Sequence, residues 1–319
     1  MIRVIQWCTS VLVLVIIAAF ALFLMAGWDM KPLNDDARSQ APGSFADLSD
    51  GKVHYRLEGP EDGPLIVMMH GYSTPNFIFE QNVPPLVEAG YRVLRYDHFG
   101  RGWSDRPSIR YDADLYDRTL IELLAHIDHD GSFGLVGLSM GGLISAEFAA
   151  RHPERVDRLF LFVPAGLSTA GASGFTARLI TTPVIGDWIW RMVWRDLLLS
   201  DPQYDESQLA PENRLAGDVT VQMGYRGYGE ALLSTLRRMP MSGRRDVFER
   251  LASTKVPVAA IFGEADPTVL IESATELGEI ISRAEIRSIP DAGHGLNYQN
   301  HAIVNPWLLS WFEDGAISD

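Results

Sequence analysis

The sequence is poor in cysteine and in positive charge. Its 319 residues include a single cysteine, Cys8, so no disulfide can form within the chain and no cysteine cluster can bind a metal ion. Lysine and arginine together number 27 against 41 aspartate and glutamate residues, which gives a formal net charge of −14 at pH 7. Phosphate backbones repel a chain of this charge, so nucleic acid is not expected as a partner. No internal repeat is visible.

Charged residues are also absent from the first part of the chain, between Val4 and Trp28. As a helix this segment would span about 38 Å, enough to cross a bilayer with some tilt. We therefore predict a single transmembrane anchor over residues 1–28 and a polar, turn-rich tether over 29–43. The alternative is a cleaved signal peptide and a secreted protein, although apolar residues continue past the possible cleavage site at 19–21. Basic residues are nearly balanced on the two sides, so the orientation in the membrane is not predicted.

The rest of the chain has the composition of a globular protein, with 47% hydrophobic and 21% charged residues overall. Short apolar runs alternate with segments of helical periodicity. A hairpin is predicted over 45–57, and further strands at 65–69, 91–96, 132–136, 159–163, 256–262 and 284–289. This alternation predicts an α/β fold with a mostly parallel central sheet and helices on both faces.

The alternation is interrupted over residues 167–246, where no strand pattern is evident. An insertion of this length inside a sheet protein predicts a helical lid, and we call these residues the lid segment. The core then comprises residues 44–166 and 247–319. Within the lid segment, residues 187–199 are predicted to form a helix with one narrow polar stripe, of Asp187, Arg191 and Arg195, on an otherwise apolar surface.

The three tryptophans of this helix, Trp188, Trp190 and Trp194, have two interpretations. They pack against other helices of the lid segment, or they line an apolar pocket while another part of the helix rests on the bilayer. The second interpretation predicts a ligand with a medium-length or long apolar chain.

A candidate nucleophile lies in the sequence G-L-S-M-G-G at 137–142. An apolar strand precedes this motif and a helical pattern follows it until Pro153. The pattern G-x-S-x-G between a strand and a helix indicates a nucleophile elbow, a sharp and strained turn that pushes the Ser139 hydroxyl out of the sheet. Gly137 and Gly141 are expected to be required because a side chain at either position would collide with neighbouring backbone.

A serine hydroxyl needs a base, and the base needs an acid that orients it. Of the eight histidines, His294 lies in a glycine-flanked loop after the last predicted strand, at the edge of the sheet where active sites form. Strand 256–262 is followed by two carboxylates, of which Asp266 is the predicted acid and Glu264 a predicted surface residue. Asp291 is too close to His294 in sequence to reach behind its ring.

Attack of a serine on a carbonyl carbon also requires two backbone N–H groups for the oxyanion. Met140 follows the nucleophile and is expected to supply one of them. Tyr72, after His70 and Gly71 at the end of strand 65–69, is expected to supply the other. The alternative is that these residues form an ordinary turn in which Tyr72 is a wall of the pocket. No cofactor or metal is implied.

Together these motifs resemble the α/β-hydrolase fold superfamily over about residues 44–312. The segments that carry the resemblance are H-G at 70–71, D-H-F-G-R-G-W-S at 97–104, G-L-S-M-G-G at 137–142, G-E-A-D at 263–266 and A-G-H at 292–294. The order Ser139, Asp266, His294 is that of the family, and segment 97–104 is structural in it. The arrangement of an apolar anchor followed by this domain is similar to that of the membrane-bound monoacylglycerol lipases.

The resemblance implies a serine hydrolase of carboxylic esters. Lipophilic or monoacylglycerol-like esters with a medium-length or long acyl chain are the expected substrates. Carbon–carbon hydrolases of the meta-cleavage type share the triad and lid, but usually carry Asn where this chain has Leu138. Epoxide hydrolases and haloalkane dehalogenases carry Asp in place of Ser139, and for a proline iminopeptidase no binder of the substrate amine is evident. A non-catalytic binding module of the same fold typically lacks a triad member. The oligomeric state is not predicted.

Overall fold

A computed structural model describes residues 2–170, 175–204 and 214–313. The described residues form one eight-stranded sheet with the strand order β1-β2-β4-β3-β5-β6-β7-β8. The strands are β1 Ser44–Leu48, β2 Gly51–Glu58, β3 Leu65–Met69, β4 Arg92–Tyr96, β5 Phe133–Leu138, β6 Val156–Phe162, β7 Val258–Gly263 and β8 Glu285–Ile289. β1 and β2 are antiparallel, and β2 pairs antiparallel with β4, whereas all other neighbours are parallel. The predicted α/β fold is confirmed.

Helices lie between successive parallel strands, and also before β1 and after β8. They are α1 Ile2–Met25, α2 Asp35–Arg38, α3 Val83–Glu88, α4 Ala113–His126, α5 Met140–Arg151, α6 Phe175–Thr181, α7 Ile185–Leu199, α8 Leu215–Met223, α9 Tyr228–Arg238, α10 Arg245–Ala252, α11 Glu272–Ile280, α12 Leu296–Gln299 and α13 His301–Glu313. α5 packs on β3, β5 and β6, and α13 packs on β6 and α3. All residues of β3 and β5 are buried, as expected for strands that are covered on both faces.

The strand boundaries differ from the sequence-based expectation by at most three residues. β6 begins at Val156, before the expected 159, because the turn that follows Pro153 is a single 3₁₀ turn that ends at Arg155. β5 ends at Leu138 and β7 at Gly263, two residues and one residue later than expected. These shifts leave the carboxyl ends of the parallel strands at one edge of the sheet, where the candidate site lies.

The described part of the lid segment contains the helices α6 to α9, together with two isolated bridges, between Thr169 and Val269 and between Tyr225 and Lys31. Trp190 and Trp194 of α7 are buried against α9. The Trp190 indole N–H donates to the Gly229 carbonyl (2.6 Å), and the Trp194 ring stacks on Tyr228 with centroids 5.9 Å apart. These contacts favour the packing interpretation for both tryptophans.

The predicted polar stripe of α7 faces the N-terminal segment and α9. Arg191 donates from Nε to the carbonyls of Phe23 (2.9 Å) and Ala26 (2.7 Å), at the open end of α1. The Trp188 indole N–H donates to the Ala19 carbonyl (3.1 Å). Arg191 therefore provides a donor for the carbonyl of Phe23, one of the last four residues of α1, whose carbonyls have no partner within the helix.

Segment 29–43, predicted as a tether, is held to the body of the protein at several points. Met30 is buried, and the Lys31 N–H donates to the Gly224 carbonyl (2.8 Å). The Arg38 guanidinium pairs with the Asp105 carboxylate. These partners lie far away in sequence, so the local composition of the segment does not reveal them.

Candidate active site

Ser139 lies at a strained turn between β5 and α5. Its backbone has φ 53° and ψ −116°, a conformation that costs a non-glycine residue about 1–3 kcal/mol. The Ser139 N–H donates to the Phe162 carbonyl (2.9 Å), and its own carbonyl accepts from the Ala165 N–H (3.0 Å). The neighbouring strand β6 and the loop after it therefore hold the strained backbone in place.

The two glycines of the motif allow this turn to pack closely. A Cβ on Gly141 would lie 2.0 Å from the Met69 carbonyl oxygen, and a Cβ on Gly137 would lie 2.5 Å from the Gly141 carbonyl oxygen. Neither distance is compatible with a side chain, because both contacts are with backbone atoms that cannot move independently. The turn therefore requires glycine at both positions.

The three residues predicted as nucleophile, base and acid are brought together at the carboxyl ends of β5, β7 and β8. The Ser139 Oγ lies 3.0 Å from the His294 Nε2, and the His294 Nδ1 lies 2.8 Å from the Asp266 Oδ2. All three side chains are largely shielded from solvent. The arrangement is a continuous hydrogen-bonded relay from a hydroxyl to a carboxylate.

Backbone donors orient the Asp266 carboxylate. Its Oδ1 accepts from the N–H groups of Thr268 (2.7 Å) and Val269 (3.0 Å), which leaves Oδ2 for His294. Glu264 instead accepts from the Ser288 hydroxyl (2.7 Å) at the exposed surface, and Asp291 is exposed. The structure thus separates Asp266 from the two other carboxylates that were considered for this position.

The surroundings of His294 favour its protonated form. Burial lowers the pKa of His294, but the hydrogen bond and the charge of Asp266, with a further contribution from Asp201, raise this pKa above its ordinary value overall. When the ring is neutral and Nδ1 donates to Asp266, Nε2 is an acceptor and can receive the Ser139 proton. The imidazolium that results lies beside a carboxylate that stabilises it.

Met140 and Tyr72, the predicted oxyanion donors, belong to segments that lie next to Ser139. Met140 is the first residue of α5, so its N–H is at the end of the helix where N–H groups have no intrahelical acceptor. The loop of Tyr72 passes close to the nucleophile, since a Cβ on Gly71 would lie 3.5 Å from the Ser139 Cβ. Both residues are therefore adjacent to Ser139.

His70, which sequence reasoning set aside as a base, orients the Tyr72 peptide. Its Nε2 accepts from the His98 N–H (2.9 Å), so Nδ1 carries the proton and donates to the Gly71 carbonyl (2.8 Å). Burial lowers the pKa of His70 to about 4, which keeps the ring neutral. Because the peptide is trans, the Tyr72 N–H points away from His70. The position of His70 directly before Gly71 was the available sequence signal.

Arg101 is a second residue whose role the sequence did not reveal. It is fully buried, and it donates from Nε to the Tyr72 carbonyl (3.0 Å) and from a terminal nitrogen to the Thr235 hydroxyl (2.8 Å) on α9. It therefore joins the Tyr72 loop to the lid segment.

Among the described residues, no group of three or more His, Cys, Asp or Glu side chains is arranged to hold a metal ion.

Comparisons with known proteins agree with this architecture. A sequence model of the alpha/beta hydrolase fold matches residues 64–301. A haloalkane dehalogenase of Mycolicibacterium paratuberculosis is 30% identical over 234 residues, which are 68% of this chain and 72% of that protein. A 2-hydroxy-6-oxononadienedioate/2-hydroxy-6-oxononatrienedioate hydrolase of Pseudomonas putida is 27% identical over 288 residues, 84% of this chain and 95% of that protein. The structure of an enol-lactonase from Burkholderia xenovorans LB400 has a TM-score of 0.70 at 23% identity, covering 85% of this chain and 100% of that one.

Proposed function

The chain belongs to the alpha/beta hydrolase fold family, and within that family we propose that it is a serine hydrolase that cleaves carboxylic esters through an acyl-enzyme. The observation that carries the proposal is the relay Ser139–His294–Asp266, with contacts of 3.0 Å and 2.8 Å. A hydroxyl within hydrogen-bond reach of an imidazole that is itself oriented by a carboxylate is the arrangement that activates a serine.

In the proposed reaction, the Ser139 Oγ attacks the acyl carbon while the His294 Nε2 takes the hydroxyl proton. The negative charge that develops on the carbonyl oxygen is stabilised by the N–H groups of Tyr72 and Met140. His294 then returns the proton to the departing alcohol oxygen, which leaves the acyl group on Ser139. Water, deprotonated by His294, attacks this ester and releases the acid, and the proton returns to Ser139.

The serine favours acyl transfer over dehalogenation, although a haloalkane dehalogenase is among the similar proteins. Displacement of a halide by an aspartate gives an ester that water can cleave. Displacement by the Ser139 hydroxyl would give an ether, which water does not cleave under these conditions. Hydrolysis at an acyl carbon avoids this problem because the intermediate is itself an ester.

A carbon–carbon hydrolase is the second candidate function. The 2-hydroxy-6-oxononadienedioate/2-hydroxy-6-oxononatrienedioate hydrolase of Pseudomonas putida is 27% identical over 288 residues. The same relay would serve either reaction. The residue before the nucleophile is Leu138, which is buried and has no polar group to offer a substrate. This feature favours the ester over the carbon–carbon substrate.

We further propose that α1 anchors the protein in a membrane and that the substrate is a lipophilic ester of the monoacylglycerol type. The segment Arg3–Met25 is long and apolar enough to cross a bilayer, and its side chains are exposed. Trp188 of the lid segment donates to the Ala19 carbonyl of α1 (3.1 Å), so the lid segment lies beside the proposed anchor. A signal peptidase cut after Ala21 would remove this contact, which favours the anchor over the signal peptide.

The proposal is tested with the full chain in detergent, by labelling with a fluorophosphonate probe and by turnover of p-nitrophenyl esters of increasing chain length. We expect labelling that Ser139→Ala abolishes and faster turnover of long-chain esters than of the acetate. Ser310→Ala, which removes a hydroxyl bonded to the Trp307 carbonyl on α13, is the matched control and should be unaffected.

Each alternative gives a different result in the same experiment. Absence of both labelling and turnover would indicate a binding module. Faster cleavage of a meta-cleavage dienoate than of any ester would indicate the carbon–carbon hydrolase.

A further inference from the structure

Two tyrosine side chains of the lid segment end on the loop that carries Tyr72. The Tyr204 hydroxyl lies 2.9 Å from the Ser73 Oγ and 2.6 Å from the Thr74 Oγ1. The Tyr228 hydroxyl donates to the Ser73 carbonyl. Both tyrosines are buried, and they come from different parts of the lid segment, Tyr204 after α7 and Tyr228 at the start of α9.

Three consecutive carbonyl groups of this loop accept hydrogen bonds from side chains. The Gly71 carbonyl accepts from His70, the Tyr72 carbonyl from Arg101, and the Ser73 carbonyl from Tyr228. The loop is not part of a helix or strand, so these side chains replace the regular backbone ladder in setting the peptide orientations. The donor for Ser73 belongs to the lid segment, and Arg101 is held by Thr235 of α9.

We propose that Tyr204 and Tyr228 are positioning residues for the Tyr72 N–H, so that the docked lid segment completes the oxyanion-binding site. This inference rests on the proposed ester hydrolysis. The tyrosines act through residues 72–74 and do not touch the reacting atoms. Their effect is therefore on stabilisation of the transition state, in which the oxyanion exists, and only weakly on binding of the ground-state ester.

The chemistry of the two hydroxyls fits this role. A tyrosine hydroxyl has one donor and also accepts, so Tyr204 can donate to one of Ser73 and Thr74 and accept from the other. Burial raises the pKa of Tyr204 to about 12 and raises the pKa of Tyr228 as well, so both hydroxyls keep their protons at neutral pH. Replacement by phenylalanine removes the hydrogen bonds while keeping the buried ring.

The test measures kcat and KM for a p-nitrophenyl ester with the full chain in detergent, for wild type, Tyr204→Phe and Tyr228→Phe. We expect kcat to fall by about fivefold to tenfold in each variant, the factor for one neutral hydrogen bond, with KM unchanged. The affinity for a trifluoromethyl ketone, which forms the oxyanion on Ser139, should fall by the same factor. Tyr111→Phe removes a buried hydroxyl bond to the Pro107 carbonyl (2.9 Å) and is the matched control.

A double-mutant cycle separates positioning from general loss of structure. Ser73→Ala removes the partner of Tyr204 on the loop. As a single substitution it should lower kcat, but added to Tyr204→Phe it should have little further effect. An unchanged kcat in the variants, a change confined to KM, or fully additive losses in the double variant would overturn the inference. Esterase activity of the wild type would still support the proposed function in that case. Wild-type protein without esterase activity or labelling would overturn both.

Discussion

The protein contains two buried histidine–aspartate pairs with the same geometry and different surroundings. His54 Nδ1 lies 2.8 Å from the Asp97 Oδ2, and His294 Nδ1 lies 2.8 Å from the Asp266 Oδ2. The difference is at the other ring nitrogen. The His294 Nε2 faces the Ser139 hydroxyl at 3.0 Å, whereas the His54 Nε2 faces the Pro42 carbonyl at 2.5 Å.

A carbonyl oxygen can only accept, so both nitrogens of His54 must donate and its ring carries a charge. Burial lowers the pKa of His54, but the charge and hydrogen bond of Asp97, together with the Pro42 carbonyl, raise it overall. A hydroxyl can donate or accept, so His294 can be neutral or charged without losing its contact. The group at the second ring nitrogen therefore decides whether an oriented imidazole only holds its two neighbours by hydrogen bonds or can also act as a base.

The largest expected effect comes from removing the hydroxyl that distinguishes the two pairs. Ser139→Ala should lower kcat on the order of 10⁶-fold, because the nucleophile itself is lost. The free energy of unfolding should change little, since Asp266 and His294 keep their mutual bond. Ester turnover and urea unfolding of the same preparation measure the two quantities. Residual turnover near the wild-type rate would show that Ser139 is not the nucleophile.

Asp266→Asn should lower kcat on the order of 10⁴-fold, because an amide at this position favours the wrong tautomer of His294. Asp97→Asn is the matched substitution in the other pair, and it should lower the stability while the folded fraction keeps its turnover number. Kinetics normalised by active-site titration compare the two variants. Near-normal activity of Asp266→Asn would show that the Asp266 carboxylate is not needed to orient His294.

His54→Gln should reduce the free energy of unfolding by about 3–5 kcal/mol, the cost of leaving one member of a buried ion pair alone. The Asp97 carboxylate would lose its charged partner but keep the Asn76 N–H (2.9 Å) and the Trp103 N–H (2.9 Å). Denaturant unfolding measures the loss, and kcat of the folded protein should be unchanged. A large fall in kcat at wild-type stability would assign His54 to the reaction and end the distinction between the pairs.

The smallest effects are those of pH, and they have opposite signs. kcat/KM should rise with pH as His294 becomes neutral, with a midpoint above about 6.5 because its pKa is raised. His54 binds its proton more tightly in the folded state. Its contribution to stability is therefore complete below about pH 6.5 and is lost as the pH rises through its raised pKa.

Profiles of kcat/KM and of urea unfolding between pH 5 and 9 test both signs. His54→Gln should reduce the decline of stability without abolishing it, because the pKa of His294 is raised as well, and it should leave the kinetic midpoint in place. A kinetic midpoint that moves in His54→Gln would mean that the two pairs are coupled.

Local patterns explain why most of the fold and the candidate site were accessible from the sequence. The turn at Ser139 depends on a local steric limit at Gly137, where a Cβ would meet the Gly141 carbonyl, and on a second limit at Gly141, where a Cβ would meet Met69 of the neighbouring strand β3. Asp266 is oriented by N–H groups only two and three residues further on, a local preference of aspartate in turns. The alternation of strands and helices places such turns at one edge of the sheet.

The sequence by itself determined the sheet, the strained serine and the order of the proposed nucleophile, acid and base, because periodicity and backbone sterics act over short distances. Tertiary structure alone decided that Trp190 and Trp194 pack on α9 and that Arg191 is bonded to α1. It also decided that Tyr204 contacts the Tyr72 loop and that His54 is charged and hydrogen-bonded at both ring nitrogens. The partners in these contacts lie up to 168 residues apart, as for Arg191 and Phe23. A side chain's hydrogen-bonding capacity is visible in the sequence, whereas the partner that uses it is chosen only when the chain packs.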